Sequence, residues 1–115
     1  IGESNILNGK MIKDRVVEFA GHQFDCVDEG FGENGDVDVV VRPEDIYIMN
    51  NRTESAQLIG KVKSCTFKGV HYEMVVDGVD HKWIIHSTKA EPVGAMIGMA
   101  FDPFDIHIMK KTEEA

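Results

Sequence analysis

The stretch Val37–Met49, VDVVVRPEDIYIM, decides how this 115-residue chain folds. Every second residue from 37 to 41 is a valine, which is the two-residue period of a half-buried strand. Pro43 fixes its own φ, lacks an N–H and favours an extended Arg42, so the chain is expected to turn there. The alternation resumes at Ile46 and Ile48. The stretch therefore predicts two strands joined by a sharp acidic corner.

Upstream of this stretch, the sequence predicts a strand at Ile6–Ile12, interrupted at Asn8-Gly9, which is a turn-prone pair. Val16–Ala20 and His22–Val27 are separated by a single glycine and are typical of a hairpin. Residues 28–36, DEGFGENGD, have the composition of a loop.

Downstream, the polar residues near 50–56 mark the expected division between two halves of the fold. Leu58–Phe67 predicts a long strand whose apolar residues change phase, which indicates a bulge. Further strands are predicted at 70–76, 82–86, 96–101 and 104–108, with a hairpin turn at Asp77-Gly78. About nine short strands without a helical stripe predict an all-β fold, closed or sandwiched, with little or no helix.

Size and charge limit what such a chain does. A length of 115 residues fits one domain with its own core. Twenty acidic against twelve basic residues give a net charge of −8, which disfavours binding to nucleic-acid phosphates. Cys26 and Cys65 fall on predicted strands, so we expect reduced, structural cysteines. This sequence shows no signal-peptide pattern and no apolar run of about 18 residues, so we expect a domain that is neither secreted nor inserted in a membrane. Because it starts at Ile1, we expect it to be a piece of a longer protein.

Four segments in the same order resemble one known family. They are IGESNIL at 1–7, VRPED at 41–45, FKGVHYEM at 67–74 and FDPFDIHIM at 101–109. Together they resemble the C-terminal transport-associated OB (TOBE) domain of ABC-importer ATPases, and especially of the spermidine/putrescine import ATPases. The resemblance covers essentially the whole chain. It implies one TOBE-type regulatory domain, residues 1–115, made of two intertwined OB-like β-barrel halves divided near 50–56.

The resemblance also implies a role and partners. Such a domain follows the ATPase domain of the same polypeptide, helps to pair two copies of it, and lies in the cytoplasm beside the membrane permease subunits. The sequence contains no GxxxxGK[ST] phosphate loop, so ATP and Mg²⁺ are expected to bind in the upstream ATPase domain, with no cofactor and no catalysis here.

The same resemblance supplies candidate interface residues. They are the corner and a later hairpin segment: Arg42, Pro43, Glu44, Asp45, Phe67, Gly69 and Tyr72. From the residues alone, Arg42 pairs either with Glu44 or with an acid of a second subunit. A local Arg42–Glu44 pair would fix the corner geometry more than it would add stability. The aromatic residues Phe67, Tyr72, Trp83, Phe101 and Phe104 are expected mostly in the core.

The loop acids suggest a sensing role. Glu29, Glu33, Asp36, Asp77 and Asp80 are usual surface residues, yet a polycation such as spermidine would be drawn to them if they lined a pocket. A second hypothesis is a binding module for a small oxyanion such as molybdate, which the net charge disfavours. A third is an OB domain for single-stranded nucleic acid, for which Lys61, Lys63 and Lys68 are the only local basic cluster.

Three catalytic or cofactor motifs are weaker than they first look. Residues 30–35 match GxGxxG, but a strand follows them where a dinucleotide site needs a helix. The histidines lack metal-ligand spacing. His86 and Ser87 are adjacent on a predicted strand, so their side chains should point apart.

Overall fold

The computed structural model describes residues 4–50, 55–79 and 81–111. Over these residues the chain forms ten strands and two one-turn 3-10 helices. The strands are β1 Asn5–Lys13, β2 Val16–Phe19, β3 His22–Asp25, β4 Gly35–Val41, β5 Ile46–Met49, β6 Leu58–Phe67, β7 Tyr72–Asp77, β8 Lys82–Ser87, β9 Met96–Phe101 and β10 His107–Lys110. The all-β expectation with little helix is confirmed, with ten strands where nine were expected.

The strands form two five-stranded antiparallel sheets that exchange one strand each. The first sheet has the order β10-β4-β1-β2-β3 and the second β5-β9-β6-β7-β8. The first half of the chain, β1 to β5, therefore builds four strands of the first sheet and one of the second, and the second half does the reverse. The predicted division near 50–56 stays a prediction, because residues 51–54 lie outside the described part of the chain.

Each exchanged strand follows a proline corner. The first corner is the 3-10 turn Pro43–Asp45 and the second corner is Pro103–Asp105. Each turn is closed by a backbone hydrogen bond, from Asp45 N–H to the Arg42 carbonyl at 3.0 Å and from Asp105 N–H to the Asp102 carbonyl at 2.8 Å. The chain leaves both turns in an extended conformation and enters the opposite sheet.

The first corner differs from the sequence prediction in its ion pair. The Arg42 Nε donates to Asp45 Oδ2 at 2.8 Å, so the partner is Asp45 and not Glu44. The reason is the helical turn, which brings side chains three residues apart onto the same side.

Strand β1 passes through Asn8-Gly9 without a break, so the predicted interruption there was wrong. The glycine serves packing: a Cβ at Gly9 would lie 2.6 Å from Val39 Cγ2 and 3.0 Å from the Glu18 carbonyl oxygen. Gly60 on β6 is packed in the same way: a Cβ added there would lie 2.6 Å from Val76 Cγ1 and 3.0 Å from the Asp77 carbonyl oxygen.

Both predicted hairpins and the predicted bulge are confirmed. Strand β2 pairs with β3, strand β7 with β8, and the β6–β7 register shifts between Val62 and Ser64. Val70, predicted as the start of a strand face, lies before β7 in the turn and is exposed.

The core contains an aromatic cluster to which both halves contribute. Phe19 and Phe24 come from the first half and stack at a centroid distance of 4.1 Å. Trp83 and Phe101 come from the second half, 5.2 Å apart, and Phe101 meets Phe24 edge-on at 5.6 Å. All four rings are buried, so each half leaves aromatic surface that the other half covers.

Candidate functional site

An exposed apolar hairpin is the most distinctive surface feature of the described residues. We call the segment Phe67–Tyr72 the β6–β7 tip. Gly69, at φ 99°, supplies the left-handed turn residue, and Lys68 N–H donates to the His71 carbonyl at 2.8 Å. The Phe67 and Tyr72 rings lie 5.0 Å apart. Phe67 is 59% exposed and Val70 83% exposed, so the tip presents apolar groups that are expected to bind another surface.

Two imidazoles stack between the tip and β8: His71 lies in the tip, just before β7, and His86 lies on β8. The rings of His71 and His86 lie 4.2 Å apart at an interplanar angle of 24°. The His86 Nε2 is 3.2 Å from Glu73 Oε1. This arrangement ties the base of the β6–β7 tip to β8, because Glu73 and His86 are also direct cross-strand neighbours.

The first corner, the other predicted interface element, packs against β8. Pro43 is buried, Glu44 is exposed, and Arg42 is held by Asp45. The hydrogen bond that Arg42 donates to Asp45, followed by the charge of Asp45, raises the pKa of the Arg42 guanidinium. Arg42 therefore has a partner within its own corner, which supports the structural interpretation of this motif.

The second corner places its charges close to those of the first. Asp102 Oδ1 accepts from Phe104 N–H at 2.9 Å. Burial, and then the charges of Asp45 and Asp102, raise the pKa of Asp105. Phe104 is 74% exposed, so this aromatic residue and Phe67 are not core residues, whereas Trp83 and Phe101 are.

Three of the acids proposed for polycation binding, Glu29, Asp77 and Asp36, have basic neighbours. Glu29 Oε2 lies 3.3 Å from Arg15 Nη1. Asp77 on β7 is directly opposite Lys61 on β6 and Lys82 on β8. The pairing of Lys61 with Asp77 also weakens the nucleic-acid hypothesis, because one lysine of the predicted basic cluster lies opposite a carboxylate.

Asp36, the second residue of β4, pairs with Lys10 of β1. Glu33 is exposed in the loop before β4. Asp80 is outside the described residues. None of the described acids of this set lines a cleft between the two halves.

Two small clefts lie where the halves meet. One, of about 370 Å³, is mainly apolar and is lined by Ala20 and His22 of the first half with Leu58, Val79 and Trp83 of the second, among others. The other, of about 320 Å³, lies between Ile6, Leu7, Asn8 and Ala20 of the first half and His81 of the second. A third, larger cleft of about 580 Å³ lies between Ile48, Met49 and Asn50 of the first half and Lys89, Glu91, Met96 and Ile97 of the second. A small ligand in any of the three would contact both halves at once.

The motifs for other chemistries do not assemble into sites. Gly30 and Gly32 adopt positive φ in a loop that leads into β4, with no helix to receive a phosphate. Ser87 Oγ accepts from Lys89 N–H at 3.1 Å in a local turn. Among the residues described, no group of three or more His, Cys, Asp or Glu side chains is placed to hold a metal. Both cysteines are free, and no described helix has the length and apolar character needed to span a bilayer.

Sequence reasoning missed one polar network between the halves. Asn5 is buried, and its Nδ2 donates to the Val41 carbonyl at 3.2 Å and the Ile84 carbonyl at 2.9 Å. Its Oδ1 accepts from Ile84 N–H at 2.7 Å and lies 3.3 Å from His81 Nε2. The available signal was an asparagine at a position where strand alternation calls for an apolar residue, two before Leu7.

Comparison with known proteins identifies this architecture. The TOBE domain family model matches residues 39–109. The chain is 57% identical over 111 residues to the spermidine/putrescine import ATP-binding protein PotA of Bacteroides fragilis, covering 96% of this chain and 24% of that protein. It is 54% identical over 114 residues to PotA of Clostridium novyi, covering 99% of this chain and 32% of that protein. The chain thus spans about a quarter to a third of these relatives, in their C-terminal part.

A solved structure shares the fold. The cytoplasmic molybdate-binding protein ModG, in a crystal form with molybdate bound, superposes with a TM-score of 0.74 at 16% identity, covering 96% of this chain and 99% of that one. The likeness confirms the OB-like arrangement of two curled sheets. With the family match over most of the chain and the close identity to the PotA C-terminal region, this chain belongs to the TOBE domain family.

Proposed function

We propose that this chain is a non-catalytic regulatory and dimerisation domain of the ATP-binding subunit of a spermidine/putrescine-type ABC importer. The observation that carries the proposal is the 57% identity to PotA over 96% of the chain. In this proposal ATP and Mg²⁺ bind in another part of the same polypeptide. The membrane permease subunits are then indirect partners, and the domain works at the cytoplasmic side of the membrane.

We propose the β6–β7 tip as the contact between two copies. The tip exposes the apolar side chains of Phe67 and Val70, and the Phe67–Tyr72 ring contact orders it. Apolar side chains held in a defined shape lose little conformational entropy on binding, which favours association. Two copies meeting at their tips would cover Phe67 and Val70 reciprocally, as a two-fold interface requires.

Sedimentation velocity over a range of concentrations tests this contact. The wild-type chain is expected to shift from monomer to dimer as concentration rises, and Phe67→Ser with Val70→Ser is expected to stay monomeric. Val79→Ser is a matched control, since Val79 is 85% exposed at the other hairpin of the same sheet. A wild-type chain that remains monomeric throughout, or a tip variant that dimerises as well as wild type, would contradict the assignment.

A second candidate function is binding of a small regulatory ligand between the halves. The clefts at that boundary favour it, and the fold is shared with a molybdate-binding protein. The described loop acids line none of the clefts between the halves, which argues against a polycation pocket built from them there. A thermal-shift panel with spermidine, putrescine and molybdate at physiological salt tests this candidate. A ligand-dependent rise in Tm supports it, and no shift with any of the three rejects it.

A further inference from the structure

Strand β3 gives the first sheet an open edge. It is the last strand in the order β10-β4-β1-β2-β3. Just beyond β3, Cys26 N–H donates to the Arg15 carbonyl at 3.0 Å, toward β2. Because the backbone groups of successive strand residues point to opposite sides, those of Phe24 also point to β2, whereas those of Gln23 and Asp25 point away from the sheet. Two residues of β3 thus present N–H and C=O groups at the edge.

The corresponding edge of the second sheet is closed by a side chain. Strand β8 is the last strand of that sheet. Its Ile84 directly follows a buried aromatic residue, and Asp25 of β3 does the same. The Asn5 amide accepts from Ile84 N–H at 2.7 Å and donates to the Ile84 carbonyl at 2.9 Å. One amide thus supplies to β8 the acceptor and the donor that a neighbouring strand would supply.

Strand β3 has no such side chain. Ala56 stands in the second half where Asn5 stands in the first, two residues before the leucine of a Leu-x-Gly-Lys run. The alanine methyl group can neither donate nor accept a hydrogen bond. Within the described part of the chain, no side chain bridges the backbone of Gln23 or Asp25 as Asn5 bridges Ile84. Since Gln23 and Asp25 are both exposed, their backbone groups are open to an added strand.

An apolar cleft lies beside the inner face of β3. His22 and Phe24 share this face, and their rings meet edge-on at 6.4 Å. The cleft, of about 370 Å³, is lined by His22 with Ala20, Leu58, Ile59, Val79 and Trp83, among others. A strand added along β3 would direct every second side chain to this inner face. An apolar residue opposite His22 would therefore lie at the cleft.

The outer face of the same edge favours a basic partner. Asp25 points to this face, is exposed, and forms no ion pair with any other described residue. A Lys or Arg directly opposite Asp25 on an added strand would form a favourable cross-strand pair. The net charge of −8 also attracts a basic segment to the chain.

We propose that the β3 edge binds an extended segment of a partner protein in which basic and apolar residues alternate. The segment pairs antiparallel with β3. The backbone groups of its basic residues bond those of Gln23 and Asp25, and its apolar residues lie beside Phe24 and His22 at the cleft. Backbone hydrogen bonds supply the affinity and alternate side chains the specificity, as in other domains that bind by adding a strand. This inference does not depend on the proposed function.

Nuclear magnetic resonance with a defined peptide tests the proposal. A peptide of four Lys-Val repeats with blocked ends is titrated into the ¹⁵N-labelled chain. The amide signals of Gln23 and Asp25 and the indole signal of Trp83 are expected to shift, and hydrogen exchange at Gln23 and Asp25 to slow. No change at these groups with millimolar peptide would overturn the proposal. Concentration-dependent shifts at Gln23 and Asp25 without peptide would also overturn it, because a second copy would then occupy the edge.

The control peptide has the same sequence and carries an N-methyl group on every lysine. It keeps the charges and side chains but lacks the N–H groups that would donate to β3. It is expected not to bind at the β3 edge. Equal shifts with both peptides would mean attraction by charge alone and would overturn strand addition.

Three variants test the side-chain contacts. Asp25→Asn is expected to raise the Kd of the unmethylated peptide about twofold to fivefold, through loss of one cross-strand charge pair. Ile59→Ser removes an apolar group from the cleft and should raise the Kd about threefold to tenfold. Ile6→Ser is the matched control, because Ile6 is 50% exposed, Ile59 is 46% exposed, and Ile6 lines a different cleft. An unchanged Kd for Asp25→Asn, or equal Kd values for the two isoleucine variants, would contradict this site.

Discussion

The side-chain amide of Asn5 pairs with the backbone of Ile84 as a neighbouring strand would. Its Oδ1 accepts from Ile84 N–H at 2.7 Å and its Nδ2 donates to the Ile84 carbonyl at 2.9 Å. Strand β8 is the last strand of the second sheet, so its outer backbone groups have no neighbouring strand in that sheet. One buried amide from the first half thus satisfies the edge of the second sheet and joins the two halves.

We expect Asn5→Ala to destabilise the fold by about 2 to 3 kcal/mol, since it leaves backbone groups at Val41 and Ile84 without their partner in a buried place. Urea denaturation measures this. Gln23→Ala, an exposed amide on β3, is the control and should change stability by less than about 0.5 kcal/mol. Equal effects of the two substitutions would contradict the role given to Asn5.

Gly9→Ala and Gly60→Ala should both destabilise, by about 1 to 3 kcal/mol, because a methyl group would lie too close to a valine and a backbone oxygen. Gly35→Ala is the control, since the nearest atom to its added Cβ is a carbonyl oxygen at 3.4 Å. Thermal unfolding of the three variants gives the comparison. A neutral result for Gly9 and Gly60 would mean that the close packing of β1 and β6 is not required.

Lowering the pH should destabilise the fold through protonation of His81. Burial lowers the pKa of His81 below its ordinary value of 6.5. The unfolded chain therefore takes up the proton first, and stability falls as pH drops through about 6.5 and below. Urea midpoints at pH 7.5, 6.5 and 5.5 should decrease more for wild type than for His81→Gln. Parallel pH profiles would refute this assignment.

Asp105 should have the opposite effect on the pH dependence of stability. Burial and the neighbouring charges of Asp45 and Asp102 raise its pKa above the ordinary 3.8, so the ionised form is disfavoured in the folded state. Asp105→Asn is expected to raise Tm at pH 7, and its advantage should shrink as pH falls through the raised pKa and wild-type Asp105 becomes protonated. Asp25→Asn, an exposed carboxylate on β3, controls for the loss of one charge. A lower Tm for Asp105→Asn at pH 7 would contradict the prediction.

Local patterns in the sequence predict much of this fold. Valine alternation, the proline at 43 and the Asp77-Gly78 turn each act on neighbouring residues, so their consequences can be derived without knowing the rest of the chain. The phase change in β6 likewise predicted the bulge between Val62 and Ser64. Asn8-Gly9 was misinterpreted because its cause is not local: Gly9 is required by Val39 on another strand.

The candidate site was harder to predict from sequence. Phe67 and Phe104 are large aromatic residues, so the sequence predicts them in the core. Only the structure of the tip and of the second corner shows that they are exposed. The Arg42–Asp45 ion pair could not be predicted without knowing the 3-10 turn, and Pro43 alone does not specify that turn. Strand exchange between the sheets follows from pairing over long sequence distances, and no single segment encodes it.

The most direct test of the proposed dimerisation role is disulfide cross-linking of this chain. Val70→Cys is introduced at the β6–β7 tip in a Cys65→Ser background. Cys26 stays in place because it is buried and its thiol pKa is raised, chiefly by burial. Mild oxidation should yield a disulfide-linked dimer with Val70→Cys and little with Val79→Cys. No linked dimer at position 70, or equal linking at both positions, would contradict association through the tip.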